Sequence, residues 1–518
     1  MPIRMTGMVS GLDTDSIVKE LVSAYSTKKE KYEKERTKLG WKQEIWKSLN
    51  KEVNSFYKSV GNLRFDSGYN TKKTTSSDST KATVSASGNA TVGTQKLHVL
   101  STAQSGYLTG AEIKTTANEK VTTSTKLSDL GVTADEITFN VGPANNSASG
   151  TTKQIKVGKD STISDVVNQL KDAGLNANFD AGNRRFYLSS SDSGYATDFN
   201  ITADSSDTNS TTLLNALGLG DTAKKLDGSD AVIVLNGVKY TSTTNNFSIN
   251  GLSISVNGVT DKVDDLENVD VDALDDSKAV SISTTTDTQG IYDKIKDFLT
   301  QYNEIINEIT SLYNADSAKG YDPLTDDEKS SMSDSEIEKW ETKIKDAILR
   351  KDSTLGTIQN AMTSAMMQSY TVNGKSYSLA SFGISTLGYL NASKNENYAY
   401  HIDGDSEDTA TSGKTDKLMT ALENDPDSVI DFMKQLTSGL YTALDKQMKG
   451  TNLRSTYTIY NDKQMASEYS NYTTLIKQWE EKIQDYEDRY YNQFSKMESS
   501  LAKLQSSTSS LSSLFGNS

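Results

Sequence analysis

Apolar residues at Trp46, Leu49, Val53, Phe56, Val60 and Leu63 recur at alternating steps of three and four, the seam of a coiled-coil or bundle helix. The same spacing returns far along the chain, from Tyr472 through Leu475, Trp479, Ile483, Tyr486, Tyr490, Phe494, Met497, Leu501, Leu504 and Leu511 to Phe515. An amphipathic seam at each end cannot stay exposed to water, so the two pair with each other or with neighbouring subunits. That requirement predicts that the two ends meet. Only Pro2, Pro143, Pro323 and Pro426 interrupt the chain, which leaves long stretches free to run as unbroken helix.

Between the seams the texture changes twice. Ile17, Leu21 and Ala24 extend the first seam upstream, but the run from Lys28 to Lys38 offers it only Tyr32, which predicts a helical join with thin packing. From Lys72 to about Thr286 the chain is rich in Ser, Thr, Asn, Asp and Gly with short alternating strands. Ala231–Leu235, Asn236-Gly237 and the following VKYTS predict a type I′ hairpin, and Asn250-Gly251 and Asn257-Gly258 repeat the turn signal. Ile163, Val166, Val167 and Leu170 share one face of a short helix that stops before Gly174. Helical spacing resumes at Ile291, Ile295, Phe298, Tyr302, Ile305, Ile309 and Leu312. It continues through Ile337–Ile348 and Leu355–Ala365, and a short helix carrying Val429, Phe432 and Leu436 follows Pro426.

The expected fold is therefore a multidomain α+β protein, at roughly 150 residues per domain some three or four units. Residues 1–45 form an N-terminal coiled-coil leg, 46–71 a stem helix, 72–286 an inserted β-rich head of two subdomains, 287–470 a helical stem and 471–518 a C-terminal leg. A head projecting from a helical stem gives a rod with a broad end, a shape that suits assembly more than catalysis.

Chemistry is sparse. With 54 Lys and Arg against 69 Asp and Glu, the net charge of -15 argues against nucleic-acid binding. There is no cysteine, so neither disulfides nor thiolate metal sites are available. Asp13, Asp15, Lys19 and Glu20 stand where a cleavable signal peptide needs an apolar run, and no 18-residue apolar segment exists, so no membrane span is expected. Of two histidines, His98 lies in a strand and His401 in YAYHIDGD, and neither makes a catalytic site alone. Gly218-Leu219-Gly220-Asp221-Thr222-Ala223 matches a dinucleotide fingerprint, yet it follows what reads as a helix end rather than a strand. The acidic stretch Asp261–Asp276 and the Asp403-Gly404-Asp405 group lack the order of an EF-hand loop and read as solvated acidic surface or linker. No catalytic residue, cofactor or metal is expected.

The opening Ser10-Gly11-Leu12-Asp13-Thr14, with Ile3 and Gly7 before it and Ile17-Val18 and Leu21 after it, resembles the start of the bacterial flagellar filament cap family, the flagellar hook-associated protein 2 family. Thr162–Ile201 resembles a motif shared by flagellin and hook-associated head domains, and Asp230–Val256 the family's following hairpin unit. LRKDSTL (Leu349–Leu355), FGIST (Phe382–Thr386) and KLMTALENDPDSVIDFM (Lys417–Met433), which contains Asp425-Pro426, stand in family order. Locally, Ser10 and Asp13 are helix N-cap formers, and Asp425-Pro426 suits a helix start. The run Lys28–Lys38 and the segment Ala315–Lys343 depart from the pattern.

This resemblance implies a non-enzymatic, secreted protein at the distal tip of the flagellar filament. It would be exported unfolded by the type III apparatus with a dedicated chaperone, assemble as a pentameric or hexameric ring, retain exported flagellin and promote its polymerisation. Hook-filament junction proteins would be further partners, and the Ser-, Thr- and Asn-rich head loops admit host surface glycans. Docking is expected of the terminal seams: Ile17, Leu21, Trp46, Leu49, Val53 and Phe56 with Met497, Leu501, Leu504 and Leu511, unless these simply form an intramolecular core. A junction protein, a filament subunit or a surface adhesin would share much of this architecture.

Overall fold

Asp13 starts the first helix: its carboxylate accepts the Ser16 amide (3.0 Å) and hydroxyl (2.7 Å), and Thr14–Asn62 then runs unbroken for 49 residues. We call this the N-helix. The C-helix, Asp462–Phe515, runs for 54 residues. Helices of this length owe their stability to the partner they pack on, and the two lie antiparallel. Tyr25 stacks on Tyr486 (ring centroids 4.4 Å apart), Tyr32 meets Tyr472 (6.3 Å), and Trp46 stacks on Tyr460 just before the C-helix (5.5 Å). The computed structural model describes residues 9–115, 120–144 and 151–515. The described chain forms two compact units, one of residues up to Tyr69 together with Thr288 onward, the other Asn70–Asp287.

In the first unit the N-helix buries Trp46, Leu49, Val53, Phe56 and Val60 against the helix Thr288–Tyr313, which contributes Ile291, Ile295, Phe298, Tyr302, Ile305 and Ile309. Phe56 lies 5.9 Å from the Phe298 ring and 6.4 Å from that of Tyr302. Helices Ser353–Met366 and Pro426–Met448 complete this core with Leu355, Ile358 and Met362, and with Val429, Phe432, Leu436, Leu440 and Leu444. The helix after Pro426 is not short but 23 residues long. Thr437, Ser438 and Gly439 are poor helix formers, yet here burial overrides propensity. Thr437 donates to the carbonyls of Met433 (2.8 Å) and Leu63 (2.9 Å), and Gly439 faces the Tyr370 hydroxyl with no room for a Cβ.

The charged run of the N-helix is used rather than idle. Lys28 sits 5.2 Å over the Trp479 ring, Lys34 pairs with Glu328 (3.0 Å) and Lys38 with Asp322 (2.6 Å). The last two partners belong to the segment Ala315–Lys343, so the two departures from the family pattern meet each other. Trp340 braces that segment, its indole donating to the Asp322 carbonyl (2.8 Å) and its ring packing on Tyr321 (4.5 Å).

One half-buried acid makes this unit pH-dependent. Glu308 titrates near 7, raised first by burial and then by the adjacent Glu52 carboxyl. Its ordinary value is 4.5, so between about pH 4.5 and 7 the folded chain holds a proton that the unfolded chain has released. Stability is therefore greatest below that window and falls as pH rises through it. Glu308→Gln is expected to stabilise the protein by about 1 kcal/mol at pH 8, after allowance for partial exposure, and not at pH 4. Thermal melts of the two proteins at both pH values check this.

In the second unit the outer strands Lys72–Ser76 and Val280–Thr286 pair antiparallel, Lys72 opposite Thr286, which closes the insertion upon itself. They continue into a five-stranded sheet with Gly93–Ser101, Ala231–Leu235 and Val238–Ser242. A three-stranded sheet (Asn246–Ile249, Leu252–Val256, Ala82–Ala86) shares its core, which holds Leu97, Ile233, Phe247, Ile254 and Ile282. A separate core of Phe139, Ile163, Leu170, Phe186, Leu188 and Leu213 lies between a four-stranded and another three-stranded sheet and the helix Ile163–Asp172. That helix opens on a reciprocal cap in which the Thr162 amide donates to Asp165 (2.7 Å) and the Asp165 amide to the Thr162 hydroxyl (3.3 Å).

Asn236-Gly237 (φ 49° and 80°) and Asn250-Gly251 (φ 48° and 77°) form the expected turns. Asn257-Gly258 does not; both amides instead donate to the Lys81 carbonyl (2.8 and 3.3 Å). The acidic stretch from Asp261 is not a solvated linker either. Val263, Leu266, Val269, Val271 and Leu274 within it cover Leu100, Val232 and Val234 on the second face of the five-stranded sheet, and its carboxylates lie outward except that of Asp261, which is buried against His98. Alternation of acids with aliphatics carried this signal.

Candidate functional site

The ends of the helix pair are built from the opening motif. Gly11 adopts a left-handed conformation (φ 72°), turning the chain between Ser10 and the Asp13 cap. Ahead of that turn, the amides of Val9 (2.9 Å) and Ser10 (3.2 Å) donate to one oxygen of Glu498, and the Ser10 hydroxyl donates to the other. Glu498 is buried on the C-helix, and the Ser10 hydroxyl, followed by burial acting the other way and the two amides, holds its carboxyl below the usual range. Tyr491 adds a hydrogen bond to Asp15 (2.8 Å). This clasp fixes the register of the two terminal helices. Ser10 thus serves as a link to the other terminus, while Asp13 alone caps the helix; a motif read locally could not reveal a partner 488 positions away. Ile3 and Gly7 lie outside the described residues.

Glu498→Ala is expected to leave the remainder of the helix pair intact and speed hydrogen exchange of the Val9 and Ser10 amides by at least about tenfold. Because the carboxyl is depressed below its ordinary 4.5, the clasp contributes above that pH and is lost as pH falls through the folded-state value. Amide exchange measured from pH 7 down to pH 3 reads both effects.

The structure divides the expected docking residues. Trp46, Leu49, Val53 and Phe56 are buried in the intramolecular core. Ile17, Met497 and Leu501 are half-buried, whereas Leu21, Leu504 and Leu511 are exposed, with Leu504 64% accessible. The buried stripe at the start of the N-helix is Thr14, Val18 and Val22, one residue on from Ile17 and Leu21, and on the C-helix Ile476 rather than Leu475 is buried. Two apolar stripes lie side by side on each helix, and packing selects one. Past Glu498 the C-helix continues to Phe515 with Leu501, Leu504 and Leu511 on one face.

The remaining conspicuous residues are structural. Asp425 caps the helix that Pro426 begins, accepting the Ser428 amide (3.2 Å), and that hydrogen-bonded serine lowers its pKa. His98 is buried with Nδ1 2.8 Å from Asp261, and His401 lies 2.6 Å from Asp408. Gly218 (φ 66°) follows the helix Ser210–Ala216 instead of opening one. Among the described residues no group of three or more His, Asp or Glu is placed to hold a metal ion, and no helix is long and apolar enough to cross a membrane.

Residues 10–106 match the flagellar hook-associated protein 2 N-terminus and residues 228–506 the flagellar hook-associated protein 2 C-terminus. The flagellar hook-associated protein 2 of Halalkalibacterium halodurans is 22% identical over 569 aligned positions, covering 99% of this chain and 100% of that protein. The protein of the same name from Escherichia coli is 25% identical over 532 positions, covering 99% and 98%. The crystal structure of the flagellar cap protein FliD D1-D2-D3 domains from Escherichia coli aligns at 18% identity and a TM-score of 0.48, covering 82% of this chain and 99% of that one. Matches to both terminal portions, in order and spanning the clasped helices as well as the bundle, establish that the chain belongs to the flagellar hook-associated protein 2 family.

Proposed function

We propose that this protein caps the flagellar filament at its distal tip, as an oligomer whose terminal helices dock on the growing end while exported flagellin is retained and folded beneath it. Family membership supports the flagellar setting. The observation that carries the docking role is the C-helix running past its clasp with Leu501, Leu504 and Leu511 aligned, the last two exposed. An unpartnered apolar face of this kind gains most by burial against further helices. The surface available for docking is thus Leu21, Leu504 and Leu511 with the half-buried Ile17, Met497 and Leu501, the core four having used their area within the chain.

A secreted route fits the same reading. A cysteine-free chain avoids cross-linking, and long helices that depend on pairing can pass the type III apparatus unfolded and order on docking, with the entropy cost offset by burial. The role is mechanical rather than enzymatic. Immunogold electron microscopy of native filaments, with antibody against residues 72–286, tests the assignment. Label confined to distal tips is expected; label along the shaft or at the hook boundary would assign the protein to another flagellar position.

A further inference from the structure

We propose that the acidic segment Asp261–Asp276 is a strap fastened to the five-stranded sheet by the charge of His98, and that loss of the imidazole proton releases its Asp276 end and uncovers the apolar strip beneath. Lys96, His98 and Leu100 alternate on Gly93–Ser101 and so share one face of the sheet, with Val234 opposite His98 and Lys239 opposite Val234. The strap covers that face through Leu100, Val232 and Val234. Each of the three cations on it grips the strap. Lys96 pairs with Asp276, and Lys239 donates to the carbonyls of Leu266 and Glu267, the latter at 3.2 Å. His98 lies 2.8 Å from Asp261 through Nδ1 and 3.6 Å from Asp276 through Nε2. One buried ring thus meets both the first and the last residue of the strap.

The two contacts of the ring differ in what holds them. An ionised Asp261 can only accept, so the Nδ1 of His98 carries a hydrogen in either charge state, and the proton that the imidazole gains or loses is the one on Nε2. With that proton the ring attracts both ends of the strap; without it a lone pair faces the Asp276 carboxylate. Asp261 is buried and also lies 2.8 Å from the Thr260 hydroxyl, whereas Asp276 is exposed. Opening therefore starts at the Asp276 end. The other charged groups near the ring are Lys96 on its own strand and Asp275 in the strap, whose carboxyl is held below the usual range by the Ser277 hydroxyl first and also by His98. The flanking strands Ala231–Leu235 and Val280–Thr286 carry no charged residue. Imidazole is the side chain whose charge ordinarily changes near neutral pH, so a change of pH operates this fastening. Because the Nε2 proton is bound more tightly with the strap down, acid favours closure and rising pH favours opening.

The chain has no cysteine and only two histidines, so thiol labels and ring signals report without background. Spin labels on the full-length Ala273→Cys, Thr241→Cys protein, both at exposed positions, read the distance from strap to sheet. NMR follows the two imidazole rings, with His401→Gln identifying the His98 signal. The open fraction of the strap is expected to rise by at least about threefold between pH 5 and pH 9, with its midpoint where the His98 ring titrates, and to do the same in His401→Gln. The deciding variant is Asp276→Asn rather than a replacement of the buried histidine, because an exposed carboxylate can be neutralised without disturbing the core. It is expected to keep the fold and lose the pH response. A label distance constant from pH 5 to pH 9, or a response that survives in Asp276→Asn, overturns the proposal.

Discussion

Phe56→Ala is expected to destabilise the helical unit by about 3–5 kcal/mol, the range for removing a buried phenylalanine from a packed core. Phe56 is 2% exposed and touches the rings of Phe298 and Tyr302, which belong to a helix more than 200 positions away in the chain. The cavity would open where the N-helix meets that helix, and the neighbouring rings are too constrained to collapse into it. Scanning calorimetry should show the helical unit melting at lower temperature. The Asn70–Asp287 unit has its own cores, so its transition should stay in place, as expected for sites that share no partners. A parallel drop in both transitions would refute the independence of the two cores.

Leu504→Asp combined with Leu511→Asp is expected to abolish filament elongation and swimming while leaving the protein folded. Both leucines are more than half exposed, so each substitution alone should change stability by no more than about 0.5 kcal/mol. A charge placed on a face that must be desolvated on docking carries a much larger cost. Leu226→Asp, at an equally exposed leucine in the other unit (64%), is the control and should swim normally. Motility plates, far-UV circular dichroism and microscopy of shed flagellin separate loss of docking from loss of fold. Filaments of normal length in the double variant would remove the terminal face from the mechanism.

Much of this was legible locally. Asn236-Gly237 and Asn250-Gly251 specify their turns because few other dipeptides tolerate two successive positive φ angles. Asp13 and Asp425 mark helix starts because their oxygens satisfy amides that the helix leaves orphaned. Asn257-Gly258 misled for the complementary reason: the dipeptide permits the turn but does not require it, and the Lys81 carbonyl took its amides. The helix after Pro426 outran its local propensity because Leu440, Leu444 and Met448 are buried.

The candidate site divides the same way. Residue order alone determined that this protein has amphipathic helices at both ends, a β-patterned insertion between them and no thiol chemistry, since periodicity, turn preference and composition are properties of neighbouring residues. Tertiary structure decided which of two adjacent stripes is buried, Val18 and Val22 over Ile17 and Leu21. It also decided that Ser10 answers to Glu498, that Lys34 and Lys38 answer to Glu328 and Asp322, and that Trp46, Leu49, Val53 and Phe56 are core. Burial is a contest between surfaces distant in the chain, and one helical period fits either outcome until the opposing surface is in place.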